Sequence, residues 1–296
     1  MRLLLIGHSV EDQIHLENRE IHSPGGIFYS AMGLNSFLSS KDELFLLTSY
    51  DDLSYPLFSS LYDTLKKDYF LRVNSIPKVH LYISANCERC ETYENLAEPL
   101  NLSKIENLDQ FDGILINMIT GSDIKLSDML NIRKNYKGLI YFDVHTLSRG
   151  VDENNRRYFR PIPDAQKWIS SVDIIQANEN ELRTLSCKNK ELDIVEDILQ
   201  FGLKILIVTK GEQGSVIYWK EGPKLNFFPQ SAISSISINK VGCGDIFGAA
   251  FFYSFVSNAF LPDAAKLANI ASGCITNYSD IKDLVNLRND TFSRFN

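Results

Sequence analysis

The 296-residue chain lacks the marks of several common enzyme and binding classes. Lys and Arg number 30 against 37 Asp and Glu, a formal net charge of −7, so there is no basic excess to neutralise a nucleic-acid backbone. The five cysteines, Cys87, Cys90, Cys187, Cys243 and Cys274, make no even disulfide framework, which points to a reducing, cytoplasmic setting. Cys87-x-x-Cys90 lacks the second pair a structural zinc site needs, and His80 is badly spaced to complete it. The five scattered histidines form no metalloenzyme pattern. No Gly-x-x-x-x-Gly-Lys-Ser/Thr run occurs, which excludes a P-loop, and no Gly-x-Gly-x-x-Gly follows the first apolar run, which argues against a dinucleotide enzyme. The apolar run at 1–7 is too short for a signal peptide. The one at 247–260, closed by Leu261-Pro262-Asp263, is too short for a membrane span and reads as a core helix.

What is present is an alternation. Short continuous apolar runs at 3–7, 44–48, 113–117, 139–143, 173–176 and 205–209 read as strands covered on both faces, as in a parallel sheet. Helical stretches at 26–39, 56–67, 124–135, 163–170, 179–186 and 191–201 lie between them, and this order predicts a layered α/β fold. Ligands of such sheets bind beyond the carboxyl ends of the strands. Segments 12–24 and 73–95 break the rhythm. They read as polar, weakly alternating strands that pair into a small sheet and serve as a lid on one domain spanning 1–296. No repeat, low-complexity tract or linker divides the chain.

The most telling stretch is 239–255. Gly242-Cys243-Gly244 makes a small-residue turn, Asp245 follows, and an almost wholly apolar run reads as a buried helix. Backbone N–H groups at a helix start face an anion, helped by the helix dipole. A carboxylate at the mouth of such a nest is placed to take a proton from an attacking hydroxyl. Together they suit transfer of a phosphoryl group onto an alcohol. A plainer account makes Asp245 only a favourable first-turn charge.

Residues 239–247 resemble the C-terminal signature of the ribokinase-like (PfkB) carbohydrate kinases, usually Asp-Thr-Thr-Gly-Ala-Gly-Asp-x-Phe. The resemblance runs nearly end to end. Leu4-Leu5-Ile6-Gly7 followed by Asp12 resembles the family's opening strand and substrate-contacting aspartate. Pro24-Gly25-Gly26 resembles its glycine pair, where sugar hydroxyls approach bare backbone. Asn178-Glu-Asn-Glu181 resembles its Asn-x-x-Glu segment, and Thr209-Lys210-Gly211-Glu-Gln-Gly214 the turn that borders the nucleotide. Asp143-Val-His145-Thr-Leu-Ser-Arg149 resembles the family's Asp-x-Asn-x-Arg, with histidine for asparagine. The helix holding Ala268-Asn269 lies where the family has its adenine-side wall. Asn239 stands for the usual first aspartate of the signature, Lys240-Val241 for its two threonines, and Ser30 for an asparagine common in sugar kinases.

The resemblance implies a three-layer α/β/α domain with a mostly parallel sheet and a β-sheet lid. It implies an ATP- and magnesium-dependent kinase of a small polyol: sugar, inositol-like ring or nucleoside. Asp245 would be the base and Gly242, Cys243 and Gly244 the anion nest. Asp12, Gly25, Gly26 and Ser30 would hold the acceptor, and Asn178, Thr209, Gly211, Gly214 and Asn269 would border the nucleotide. Asn178 and Glu181 would steer magnesium, in part through water, although the same pair at a helix start also reads as a capping box. Pairing of two copies through the lid is a further expectation, with neither nucleic acid nor membrane as partner. The alternative reading is a kinase-fold sensor that binds a nucleotide or sugar with little turnover. A vitamin-precursor kinase fits less well, because those tend to lack the lid.

Overall fold

The computed structural model describes residues 1–16, 19–82, 90–233 and 240–295. Its larger sheet has nine strands. From edge to edge they are Lys224–Gln230, Ser215–Glu221, Ile205–Thr209, Ile174–Asn178, Leu139–Asp143, Gly113–Asn117, Arg2–Ile6, Glu43–Tyr50 and Phe70–Arg72. The last seven pair in parallel, and the first two are antiparallel additions at one edge.

The continuous apolar runs have a direct cause. In the strand Arg2–Ile6, Leu3 and Leu5 enter one hydrophobic core while Leu4 and Ile6 enter another, and all four are fully buried. A strand with a core on each face has no position left for a polar side chain. Helices Ile27–Phe37, Cys243–Val256, Leu261–Ile275 and Leu287–Phe295 contribute to the first core. Helices Leu126–Asn135, Ala165–Ile169 and Glu191–Leu199 contribute to the second. The result is the expected α/β/α layering.

Strands 113–117, 139–143 and 205–209 fall where the sequence places them. The 173–176 run forms a strand that starts one residue later and ends two residues later, Ile174–Asn178. The helix expected over 179–186 is only Glu179–Leu182, because the Thr184 and Leu185 amides bond three residues back and tighten the chain into a turn. The hairpin Ser215–Glu221/Lys224–Gln230 has no counterpart in the sequence reading. Its outer strand is mostly exposed or half-buried and carries no apolar run.

The two irregular segments do form a second sheet of four strands, ordered Arg19–Gly26, Ser9–Leu16, Lys78–Tyr82 and Cys90–Glu94. The first hairpin is longer than 12–24. It begins at Ser9, directly after the first strand of the large sheet, and ends at Gly26, directly before the helix Ile27–Phe37. Cys87 and the connection at 83–89 lie outside the described residues, as does Asn239.

The helices Ile27–Phe37 and Cys243–Val256 carry Ser30 and Asp245, and they touch through a glycine. A Cβ on Gly33 would lie 2.8 Å from Ala249 Cβ and 3.0 Å from Ile246 Cδ1. Gly33→Leu is expected to destabilise the fold by at least about 2 kcal/mol through overpacking, read as a lower urea midpoint at unchanged slope.

Candidate active site

Asn117, Asp143, Asn178 and Thr209 end four adjacent parallel strands. Register sets Asn117 beside Asp143, Asp143 beside Gln176 and Asn178 beside Thr209. The parallel pairing thus delivers a row of polar side chains to one end of an otherwise apolar sheet.

The helix Cys243–Val256 points its N-terminus at this row. Gly242 caps it with φ +78°, in the left-handed region that suits glycine. A Cβ there would also meet the Tyr29 ring at 2.4 Å. The Ile246 amide closes the first turn onto Gly242 O at 2.9 Å. The amides of 243–245, one step earlier, have no carbonyl within the helix to meet. Gly244 O accepts from Gln176 Nε2 at 3.0 Å, and Gln176 Oε1 accepts from the buried Tyr141 hydroxyl at 2.6 Å. This chain ties the turn to the sheet.

Two cavities meet at the turn. One, of about 230 Å³, is lined in part by Asp12, Asp143, His145, Arg149, Glu181 and Asp245. The other, of about 610 Å³, is lined in part by Thr209, Gly211, Gly214, Ile233, Phe247 and Asn269. Cys243, Gly244, Asn178 and Thr209 border both.

The smaller cavity concentrates negative charge in a buried setting. Burial pushes the Asp245 carboxyl above the usual carboxylate range, against the pull of His145 and of hydrogen bonds from Asn117 and Ser30. Asp143 is held well above its ordinary value by burial and by the charges of Glu181 and Asp245. Glu181 is raised too, chiefly by burial, with His145, Arg149 and the Asn178 amide opposing. Buried like charges favour protonation or a nearby cation. The Cys243 thiol is pushed up to about 11, mainly by burial, so it is a poor nucleophile at neutral pH.

The expected site residues are mostly brought together. Asp12, Gly26, Asp245 and the nest residues Gly242, Cys243 and Gly244 line the smaller cavity, with Asp12 only 6% exposed. Thr209, Gly211, Gly214, Asn178 and Asn269 line the larger. Gly211 and Gly214 both have positive φ, and a Cβ on Gly214 would lie 2.0 Å from Gln230 O, so that glycine lets the edge hairpin close. Asn269 Nδ2 donates to Ser215 Oγ and Ala265 O, each at 2.9 Å.

Several placements differ from the expectation. Gly25 does not line the smaller cavity, and a Cβ on it would overlap the Asp12 carboxylate at 2.3–2.4 Å. Its bareness makes room for Asp12. Ser30 is buried behind Asp245 rather than on the cavity wall. Asn178 and Glu181, by contrast, form the capping box that the sequence also predicts: Asn178 Oδ1 accepts from the Asn180 and Glu181 amides at 2.9 and 3.0 Å, and Glu181 Oε2 from the Asn178 amide at 2.8 Å. Among the described residues no group of three or more His, Cys, Asp or Glu is arranged to hold a metal directly. The remaining oxygens of this hard donor pair, beside raised carboxyls, fit an ion held through water. Lys210 turns away to Glu191 at 2.7 Å.

Asn117 and Gln176 were not singled out by sequence reasoning. Each sits at or near a strand end inside an apolar run, and only the register shows what it faces. Arg149, which closes the segment resembling Asp-x-Asn-x-Arg, lines the smaller cavity.

Residues 145–285 match the pfkB family of carbohydrate kinases. That match covers just under half of the chain. An uncharacterized sugar kinase of Archaeoglobus fulgidus is 25% identical to this chain over 120 residues, 40% of this chain and 46% of that one, so the match spans under half of the relative's length. Solved structures share the fold across nearly the whole length. A ribokinase of Arabidopsis thaliana complexed with ribose and ATP aligns with a TM-score of 0.76 at 18% identity, over 99% of this chain and 98% of that one. A pyrophosphate-dependent kinase in the ribokinase family, complexed with a pyrophosphate analog and myo-inositol, gives 0.76 at 19%, over 92% and 94%. A nucleoside kinase of Methanocaldococcus jannaschii gives 0.74 at 17%, over 99% and 97%.

The raised carboxyls have a consequence for stability. An acid whose folded pKa exceeds its unfolded value binds more protons when folded, so it lowers stability as pH rises from the ordinary carboxylate range toward the raised value. Asp143 is such a group. In divalent-free buffer, Asp143→Asn should melt higher than the parent chain at neutral pH, and the two should converge near about pH 4. Differential scanning calorimetry across that range checks it.

Proposed function

We propose that the protein is an ATP-dependent phosphotransferase acting on a hydroxyl of a small polyol, whether sugar, inositol-like ring or nucleoside. The observation that carries this reading is the half-buried Asp245 carboxylate at the tip of the helix Cys243–Val256, lining the smaller cavity where that cavity meets the larger one. The acceptor lies in the smaller cavity against Asp12 and Gly26. Asp245 takes the hydroxyl proton as the acceptor oxygen forms its bond to the γ-phosphorus. The bond from that phosphorus to the β-bridging oxygen breaks and ADP leaves. The amides of 243–245 hold the charge on the transferred group.

Asn178 and Glu181 would hold magnesium through its water shell, and the ion would supply neutralising charge along the phosphates. The larger cavity supports a nucleoside triphosphate as donor. Its wall carries Ala232, Ile233 and Phe247, apolar surface that a base fills and a bare pyrophosphate does not. The four-stranded sheet, whose Val10, Asp12, Val79 and Tyr93 line the smaller cavity, is read as the lid that excludes water. In this reading two copies pair through it without changing this chemistry, and the enzyme acts in the cytoplasm.

The test is a panel of pentoses, hexoses, myo-inositol and nucleosides, with ATP–magnesium or pyrophosphate–magnesium as donor. Turnover is expected with ATP, and Asp245→Asn should lower kcat by about two or more orders of magnitude while nucleotide affinity by calorimetry holds. Turnover with pyrophosphate alone would overturn the donor assignment. Ligand binding without ADP release across the panel would instead favour the sensor reading.

A further inference from the structure

Asp245 is held from one side. Asn117 Nδ2 donates to Asp245 Oδ1 at 2.6 Å and to Ser30 Oγ at 3.1 Å, and the Ser30 hydroxyl donates to the same Oδ1 at 3.4 Å. Among the described residues no hydrogen bond from another side chain reaches Oδ2, and the Asp245 amide also donates to its own carboxyl. Asn117 is fully buried and Ser30 is 1% exposed, and neither lines the cavity that Asp245 lines. The two donors therefore stand behind the carboxylate, and the cavity lies in front.

The amide's orientation follows from its neighbours. Turned the other way, Asn117 Oδ1 would oppose a carboxylate oxygen. Set as it is, both N–H bonds are used, and Oδ1 is left buried with no hydrogen-bond partner among the described residues. An asparagine kept only for packing at the end of the strand Gly113–Asn117 would be better replaced by leucine, which leaves nothing unpaired. What the carboxamide supplies here is two N–H groups aimed at Asp245 and its neighbour.

We propose that Asn117, with Ser30, is the positioning pair that commits Oδ1 of Asp245 to the protein and leaves Oδ2 as the oxygen that takes the acceptor's proton. The proposal rests on the reading of Asp245 as base. The pair does two things. It fixes the rotation of the carboxylate, so that one oxygen faces the cavity. It also donates to the ionised form, which favours that form. The other titratable groups acting on or through Asp245 are Asp143 at the end of the strand Leu139–Asp143, His145 in the turn after it, Glu181 on the helix Glu179–Leu182, and the neutral Cys243 thiol on Asp245's own helix. Of these only His145 favours the carboxylate; after it, the Asn117 and Ser30 donors and the Asp245 amide oppose the effect of burial.

The experiment uses the full chain with ATP–magnesium and the best acceptor of the panel. Asn117→Leu is expected to lower kcat about ten- to a hundredfold, to leave KM for both substrates within about twofold, and to move the acidic limb of the kcat–pH profile to higher pH by about one unit. Ser30→Ala should move the limb the same way by less, since its bond is longer. A structural defect would lower kcat with the limb in place. An unmoved limb in Asn117→Leu, with Asp245→Asn inactive, overturns the positioning role and leaves the base standing. Asp245→Asn with near-parental turnover removes the base and this inference together. If the leucine variant does not fold, Ser30→Ala decides: an unmoved limb there overturns the proposal.

Discussion

The site depends on keeping one half-buried carboxylate at the start of an apolar helix. Left alone, a carboxylate out of water neutralises itself. Asp245 sits in the first turn, where the helix dipole and unpaired amides favour negative charge. Asn117 and Ser30 donate to it, and His145 supplies an opposing charge. Against these stand burial and the neighbouring acids Asp143 and Glu181. A group balanced in this way responds to small changes around it, which suits a proton acceptor.

The helix can carry this burden because the rest of it is almost wholly apolar and mostly packed. Ile246, Phe247, Ala249, Ala250, Phe251 and Phe252 are all within 3% exposure. Gly33 and Gly248 let neighbours approach it closely: a Cβ on Gly248 would lie 2.8 Å from Gln176 Oε1. The Gln176 side chain in turn bonds Gly244 O and Asp143. The nest is therefore fixed to the sheet by packing along the helix and by one amide at its tip, and its amides need not reorganise when charge arrives.

How much of this was legible in the sequence follows from what each feature needs. Strands such as 113–117 and 205–209 were readable because two cores leave a continuous apolar run. The turn at 242–245 was readable because glycine, a charge and an apolar helix occur in consecutive positions. The hairpin at 215–230 was not, since an edge strand covered on one side keeps mixed residues. Asn117 and Gln176 were not, because their partners are distant in the chain and are met only through strand register. Gly25 was singled out, but for a different neighbour: the structure fills its missing Cβ with Asp12.

Ser30 shows the same limit from the other direction. A residue aligned with an acceptor-binding position faces Asp245 from behind. The helix Ile27–Phe37 packs so closely on Cys243–Val256 that a side chain at this position reaches Asp245 before it reaches the cavity. Serine is short enough to fit between Asn117 and Asp245, whereas a longer amide there would compete with Asn117 for the same oxygen. The pairing of a small hydroxyl on one helix with an asparagine on the facing strand is thus a coupled choice, and the departure at Ser30 has its reason in the neighbour rather than in the acceptor.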